Sequence, residues 1–426
     1  MKQIFQWQSP YVEGTFQPPS DKSISHRALI LASMSQGTSH IYNLLQSEDV
    51  KATCQILRQL GIEMEQTSSA LLIHGKPIAQ WRDNQTLDAL NSGTTMRLMA
   101  GLLSGCKGNY TLVGDESLSR RPMRRITEPL SQMGAEIYSV DGHAPLQIYP
   151  HSLHGMTYEM PIASAQVKSS LLLAGTQASG TTTIIENSPT RNHTEQMIPL
   201  FGGEIKTQGT TIQIKKQPTW YGTTLNVPGD LSSAAFWIAA ALLLPKSQLH
   251  IQKVGLNPTR TGFLTALAHM GVHFDVETYC DGNEPYGDIF VKHQFMHSCV
   301  IEGENIPLLI DELPLIALLA TQAQGVTEVR NAEELKVKES DRLQLTADVL
   351  NALGAHIIVR DDGWNIFGPT PLHGGIVDCK GDHRIAMMAT IASLLTNEKV
   401  VIDHYESVAI SYPNFLKDVS LLIHES

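Results

Sequence analysis

Six times along its 426 residues this chain sets a short polar or glycine-bearing opening directly before a run of Ala, Leu, Ile and Met. The stretches cover residues 20–37, 91–105, 164–175, 229–240, 311–325 and 381–395, and their starts recur roughly every 65 to 80 residues. Each opening offers a hydroxyl, amide or carboxylate that can cap the exposed N–H groups of a helix start. The middles are apolar on almost every side, so these helices must be surrounded rather than laid on a surface.

Two further markers repeat between them. One is a large apolar residue, a glycine and a β-like run: Leu60-Gly-Ile-Glu-Met64, Met133-Gly-Ala-Glu-Ile137, Phe201-Gly-Gly-Glu-Ile205, Met270-Gly-Val-His-Phe274 and Leu353-Gly-Ala-His-Ile357. Each reads as an outer helix ending on a C′ glycine before a strand. The other is a β-rich segment after the buried helix, as at 38–43, 181–186, 326–331 and 399–403. Residues 71–74 before Gly75, and 364–367 before Gly368, read as closing hairpin strands. One unit is therefore strand, buried helix, strand, outer helix and hairpin. Six such units exceed one core, so three per domain is expected, with the break near Asn226-Val-Pro-Gly-Asp230. The domains are then 18–226, and 1–17 plus 227–426. The strand near 12–16 is expected to pair in the second of these, so that the chain crosses twice.

The chemistry is expected at the helix starts. In Pro18-Pro-Ser-Asp-Lys-Ser-Ile-Ser-His-Arg27 the prolines hold the entry extended, Ser20 or Asp21 caps, and Lys22, Ser23 and Arg27 fall in the first two turns. Free N–H groups, the positive dipole end and cations suit an anion. Cations gather at the other openings too: Arg97 and Arg121, Lys168 and Arg191, then Lys338, Arg342 and Arg384. Arg120, Arg121, Arg124 and Arg125 form a local basic cluster although the whole chain carries −11. Each residue alone is also what a capped helix or a solvated surface charge looks like; the repetition singles them out. Acids stand among them: Asp311 opening the fifth stretch, and Glu339 and Asp341 between cations. Glu339, flanked by Lys338 and Arg342, is expected to stay ionised.

Other classes fall away. The net charge argues against nucleic acid. The chain lacks GxxxxGK[ST] and a GxGxxG after a strand, which leaves ATP and NAD unsupported. Five scattered cysteines with no CxxC read as reduced cytoplasmic thiols without a zinc site, and the His151/His154 pair reads as a surface loop. No apolar leader and no run of about 18 apolar residues is seen, so a cytoplasmic protein without a membrane span is expected.

Taken in order, Ser20-Asp-Lys-Ser-Ile-Ser-His-Arg27, Asn91-Ser-Gly-Thr-Thr-Met-Arg97, Arg121-Pro122, Ser164-Ala-Gln166, Val337-Lys-Glu-Ser-Asp-Arg342 and Gly381-Asp-His-Arg384 resemble the EPSP synthase family of enolpyruvyl transferases, over essentially the whole chain. The resemblance implies an α/β (α+β) fold: a two-domain inside-out α/β barrel, each domain of three βαβαββ repeats around buried parallel helices, with the active site in the cleft between domains that close on substrate. It implies transfer of the enolpyruvyl group of phosphoenolpyruvate to the 5-hydroxyl of shikimate 3-phosphate, through a tetrahedral ketal, in chorismate and aromatic amino acid biosynthesis. No cofactor or metal is implied, the partners are the two small substrates, and a monomer is expected. By the same resemblance, Lys22, Ser23, Arg27, Ser164, Ala165, Gln166, Arg191, Asp311 and Lys338 would bind shikimate 3-phosphate. Lys22, Asn91, Gly93, Arg121, Gln166, Glu339, Arg342, His383 and Arg384 would bind phosphoenolpyruvate. Asp311 would be the base at the 5-hydroxyl, and Glu339 with Lys22 would move the proton at the enol carbon. Gly93 suits a spot where a Cβ would push into the ligand, the inhibitor glyphosate included.

The chain departs from the family pattern at Ala165, where many relatives have a second serine, at Glu334, where some have Asn, and at Ile410, where many have a lysine phosphate contact. Two rival readings are the sister enzyme acting on UDP-N-acetylglucosamine and a non-catalytic repeat scaffold. The first would place a reactive cysteine within 114–125, which holds none. The second would not need Lys22, Asp311 and Glu339 together.

Overall fold

Each apolar stretch is a helix in the computed structural model, which describes residues 1–280 and 284–425. The chain divides into two units, one of residues 20–227 and one of residues 1–19 with 228 onward.

In the 20–227 unit the buried helices are Lys22–Met34, Gly93–Leu103 and Ala165–Gly175. Asp21, Ser92 and Ser164 cap them, their side-chain oxygens accepting from the N–H groups of Ile24, Thr95 and Val167. The second and third helices run close together at Gly101, where an added Cβ would lie 2.1 Å from the Ser170 carbonyl oxygen. Around them stand three four-stranded sheets of one design: Thr224–Asn226, Gly37–Tyr42, Ala70–Gly75, Glu63–Gln66; then Gln85–Asp88, Tyr110–Val113, His143–Tyr149, Glu136–Val140; then Thr157–Glu159, Thr181–Ile185, Thr211–Lys215, Ile205–Gln208. In each, the first pair is parallel and the other two are antiparallel. The first strand of the first sheet comes from the far end of the unit, so the ring of sheets is closed by residues distant in sequence.

The other unit repeats the plan around Leu231–Leu243, Leu313–Gln322 and His383–Ser393. All thirteen residues of Leu231–Leu243 are buried, as an apolar helix with no polar face requires. Pro10–Phe16 pairs in parallel with Gln248–Gly255, placing the N-terminal strand in this unit. Val300–Ile301, Gly325–Val329, Gly363–Gly368 and His356–Arg360 form a four-stranded sheet of the common design.

The five marker glycines Gly61, Gly134, Gly202, Gly271 and Gly354 all have φ between +81° and +99°, the left-handed turn that ends a helix and starts a strand. The sixth unit corrects the expectation of six complete repeats. After Val400–Asp403 the chain runs through the turn Tyr405–Ile410 and the helix Phe415–Leu422, with no hairpin of its own. Gln3–Phe5 pairs antiparallel with Val400–Asp403 instead, and Ile423–Glu425 adds to Pro10–Phe16. The sequence carries the reason, because no large-residue-plus-glycine marker follows the sixth helix.

Candidate functional site

The polar helix starts of the 20–227 unit hold one group of expected residues. Lys22 is the first residue of its helix and its Nζ lies 2.9 Å from Asp49 Oδ2, on the helix Glu48–Gln59. Arg27 is almost fully buried. Its Nε donates to Thr194 Oγ1 at 2.7 Å, its Nη2 to Ser169 Oγ at 2.6 Å and its Nη1 to the Ser23 carbonyl at 3.0 Å. Asn91 Oδ1 accepts from Arg121 Nη2 at 2.7 Å, while Asn91 Nδ2 donates to Asp115 Oδ2 at 2.7 Å. A Cβ on Gly93 would stand 3.1 Å from Arg97 Nη1 and 3.2 Å from Arg121 Nη1. Gln166 joins this set: its Oε1 accepts from Arg97 Nη1 and its Nε2 donates to Thr94 Oγ1 at 2.9 Å. Ser164, Ala165 and Arg191 are half-buried, and the Ser164 hydroxyl caps its own helix.

Two sequence expectations change in this unit. The Arg120–Arg125 cluster is not one patch: Arg120 is exposed on Glu116 and Arg124 is exposed, Arg125 is half-buried, and Arg121 is buried against Asn91. Lys168 is no ligand cation. It is wholly buried, 3.0 Å from Glu186 Oε2 and 2.7 Å from Glu195 Oε1, because two sequence-distant carboxylates meet it in the interior. Burial raises the Glu186 carboxyl above its usual range, against the opposing pull of Lys168 and Thr190. His26, on the same helix as Lys22, is held well below the usual imidazole range by burial, then by Lys22 and Arg27.

The other unit centres on Arg342, 1% exposed and first residue of the helix Arg342–Ala352. Its Nε meets Asp382 Oδ2 at 2.8 Å, its Nη1 meets Asp311 Oδ1 at 3.3 Å, and its Nη2 pairs with Glu339. Burial would lower the guanidinium pKa, but Asp382, Glu339 and Asp311 outweigh it and push it up. Asp382 caps the helix of His383 and Arg384, so one carboxylate fixes two motifs. Arg384 Nη2 lies 3.5 Å from Asp311 Oδ2, and its Nη1 3.4 Å from the Asp311 carbonyl. His383 is buried beside it. Lys338 lies 3.7 Å from Glu334; burial holds its ammonium below the usual lysine range, Glu334 and Asp311 opposing and Arg342 assisting.

Asp311 does not open the fifth helix as expected. That helix starts at Leu313 with Glu312 at the cap position and no side-chain cap bond, and the short helix Asn305–Leu309 ends just before it. Asp311 is thereby released to face Arg342 and Arg384. Sequence reasoning missed Asp49, Ser169, Thr194 and Asp382 as partners of the basic set. Asp382 was within reach, since it stands inside Gly-Asp-His-Arg; Asp49 looks like any first-turn acid.

A family model described as EPSP synthase (3-phosphoshikimate 1-carboxyvinyltransferase) matches residues 7–419. The curated 3-phosphoshikimate 1-carboxyvinyltransferase of Streptococcus equi subsp. zooepidemicus (strain MGCS10565) is 46% identical over 422 residues, 97% of this chain and 98% of the relative. That of Bacillus pumilus (strain SAFR-032) is 43% identical over 419 residues, 96% and 97%. Among solved structures, an EPSP synthase from Acinetobacter baumannii superposes with a TM-score of 0.87 at 38% identity, covering 100% of this chain and 99% of that one. The enolpyruvyl transferase NikO from Streptomyces tendae gives 0.77 at 18% identity over 100% and 99%, a likeness of fold alone.

Proposed function

The chain belongs to the EPSP synthase family, and from that premise we propose which of its residues carry the family's reaction. The enzyme transfers the enolpyruvyl group of phosphoenolpyruvate to the 5-hydroxyl of shikimate 3-phosphate, giving 5-enolpyruvylshikimate 3-phosphate and phosphate. No helix among the described residues is long and apolar enough to cross a membrane.

Asp311 takes the proton of the 5-hydroxyl, and Glu339 with Lys22 delivers one to the enol carbon. Each positioned transfer is worth about 10²–10⁴ in rate. Lys22, Ser23, Arg27, Ser164, Ala165, Gln166, Arg191, Asp311 and Lys338 hold shikimate 3-phosphate. Lys22, Asn91, Gly93, Arg121, Gln166, Glu339, Arg342, His383 and Arg384 hold phosphoenolpyruvate. The observation that carries this reading is that both proposed proton-transfer acids meet the same buried guanidinium, Arg342. An anion arriving at Arg342 and Arg384 competes with Glu339 for that cation. A carboxylate deprived of its cation gains proton affinity, the direction a general acid needs. Once the enolpyruvyl carbon is protonated, positive charge develops beside a carboxylate and a phosphate that the arginines already neutralise.

The test is phosphate release from phosphoenolpyruvate with and without shikimate 3-phosphate, in the native enzyme and in Asp311→Asn and Glu339→Gln. Release that depends on shikimate 3-phosphate and falls at least about 10²-fold in each variant is expected. Near-native turnover in either variant removes that residue from its role.

A further inference from the structure

Glu312, one residue after the proposed base, is a buried carboxylate that the reaction does not use. It is 2% exposed, and its Oε1 sits 4.0 Å from Arg384 Nη1 without closing on it. The same oxygen accepts from the Ser232 hydroxyl. Ser232 Oγ in turn accepts from Arg260 Nη2 at 2.7 Å, and that nitrogen also donates to Asp230 Oδ1 at 2.8 Å. Asp230 Oδ1 accepts from the Ser232 backbone N–H at 2.8 Å as it caps the helix Leu231–Leu243. The hydroxyl is therefore fixed from both ends: its lone pair takes the guanidinium proton, and its own proton points to Glu312.

We infer that Ser232, oriented by Arg260 and Asp230, restrains Glu312 from forming a closed ion pair with Arg384, and that Glu312 is thereby a positioning residue setting the affinity of Arg384 for anionic substrate. Arg384 faces two acids from this stretch, Asp311 and Glu312, yet its closest carboxylate oxygen among the described residues is 3.5 Å away. A guanidinium closed on a buried carboxylate would have to break that pair before holding a ligand carboxylate or phosphate. Held at its present distance, Glu312 lends negative potential without occupying the donors. The hydroxyl matters because, among the described residues, Ser232 is the one group recorded donating a hydrogen bond to the Glu312 carboxylate.

The inference rests on the proposed role of Arg384, and the experiment separates the two. Steady-state kinetics are measured for Arg384→Ala, Ser232→Ala, Glu312→Gln and the Ser232→Ala/Glu312→Gln double variant. Ser232→Ala is expected to raise KM for phosphoenolpyruvate by about tenfold, with kcat within about twofold, the split for lost uniform binding. The double variant is expected to return KM to within about twofold of native. A packing defect would not be repaired by neutralising a second residue. A KM unchanged in Ser232→Ala, or raised equally in the double variant, overturns the inference while Arg384→Ala still raises KM. If Arg384→Ala leaves KM unchanged, the role of Arg384 fails and the inference falls with it.

Discussion

Replacing Lys168 with methionine keeps the length of the side chain and removes its charge from the interior of the 20–227 unit. Native Lys168 Nζ touches Glu186 Oε2 at 3.0 Å, Glu195 Oε1 at 2.7 Å and the Thr190 carbonyl at 3.2 Å. The two carboxylates are 6% and 5% exposed, so water cannot take over. Removing one member of a buried ion pair costs about 3–5 kcal/mol. Here one substitution strands two acids, so the upper end, about 5 kcal/mol, is expected at pH 8. That is a large share of the roughly 5–15 kcal/mol that holds a domain folded.

The pH dependence supplies the sharper test. Burial already raises Glu186, and without Lys168 the opposing pull is gone, so its folded pKa rises further above the unfolded value. A carboxylate raised in the folded state adds stability below its unfolded pKa and loses it as pH climbs through its folded pKa. The deficit of the variant relative to native should therefore shrink from pH 8 to pH 5. Urea unfolding followed by tryptophan fluorescence, with Trp81 and Trp220 reporting in this unit, reads the midpoint at each pH. Arg27 should suffer as well, because the residues it bonds, Ser169 and Thr194, adjoin Lys168 and Glu195. A rise in KM for shikimate 3-phosphate is expected even where the variant is fully folded. A deficit under about 1 kcal/mol at pH 8, or one that grows toward pH 5, would refute the reasoning.

Gly101→Ala is expected to destabilise by about 1–3 kcal/mol or more, because its Cβ would lie 2.1 Å from a backbone carbonyl that no rotamer can move; a thermal scan reads it. Gly93→Ala meets only the flexible ends of Arg97 and Arg121, so its melting temperature should hold while KM for phosphoenolpyruvate rises and glyphosate inhibits less; unchanged inhibition would remove Gly93 from the site. His26 stays neutral when folded, so below about pH 6.5 the unfolded chain binds the extra proton and stability falls by about 1.4 kcal/mol per pH unit from this group. His26→Gln should flatten that slope in urea midpoints between pH 7 and pH 5, and an unaltered slope would show that His26 titrates normally in the fold.

What the sequence made legible follows from how far apart the determining residues lie. The buried helices, their caps and the five C′ glycines are local: Asp21 and Ile24, or Leu60 and Gly61, are neighbours in the chain, so pattern alone places them. The sixth unit was misread because its completing strand, Gln3–Phe5, lies almost 400 residues from its partner, and no local signal announces a substitute. The basic set divides the same way. Arg27, Arg121 and Lys168 look alike as cations near helix starts, and what separates them is the partner that folding brings: hydroxyls for Arg27, an amide oxygen for Arg121, two carboxylates for Lys168. Two buried carboxylates consume the charge of Lys168, which is then not available to an arriving anion. Charge type in a motif therefore nominates a ligand residue, and only the partner's charge decides whether it can act as one. By that criterion Arg342, with three acids around it, is an anion ligand only if the arriving substrate displaces one of them, and Glu339, 22% exposed against 15% for Asp311 and 0% for Asp382, is the most accessible to that exchange.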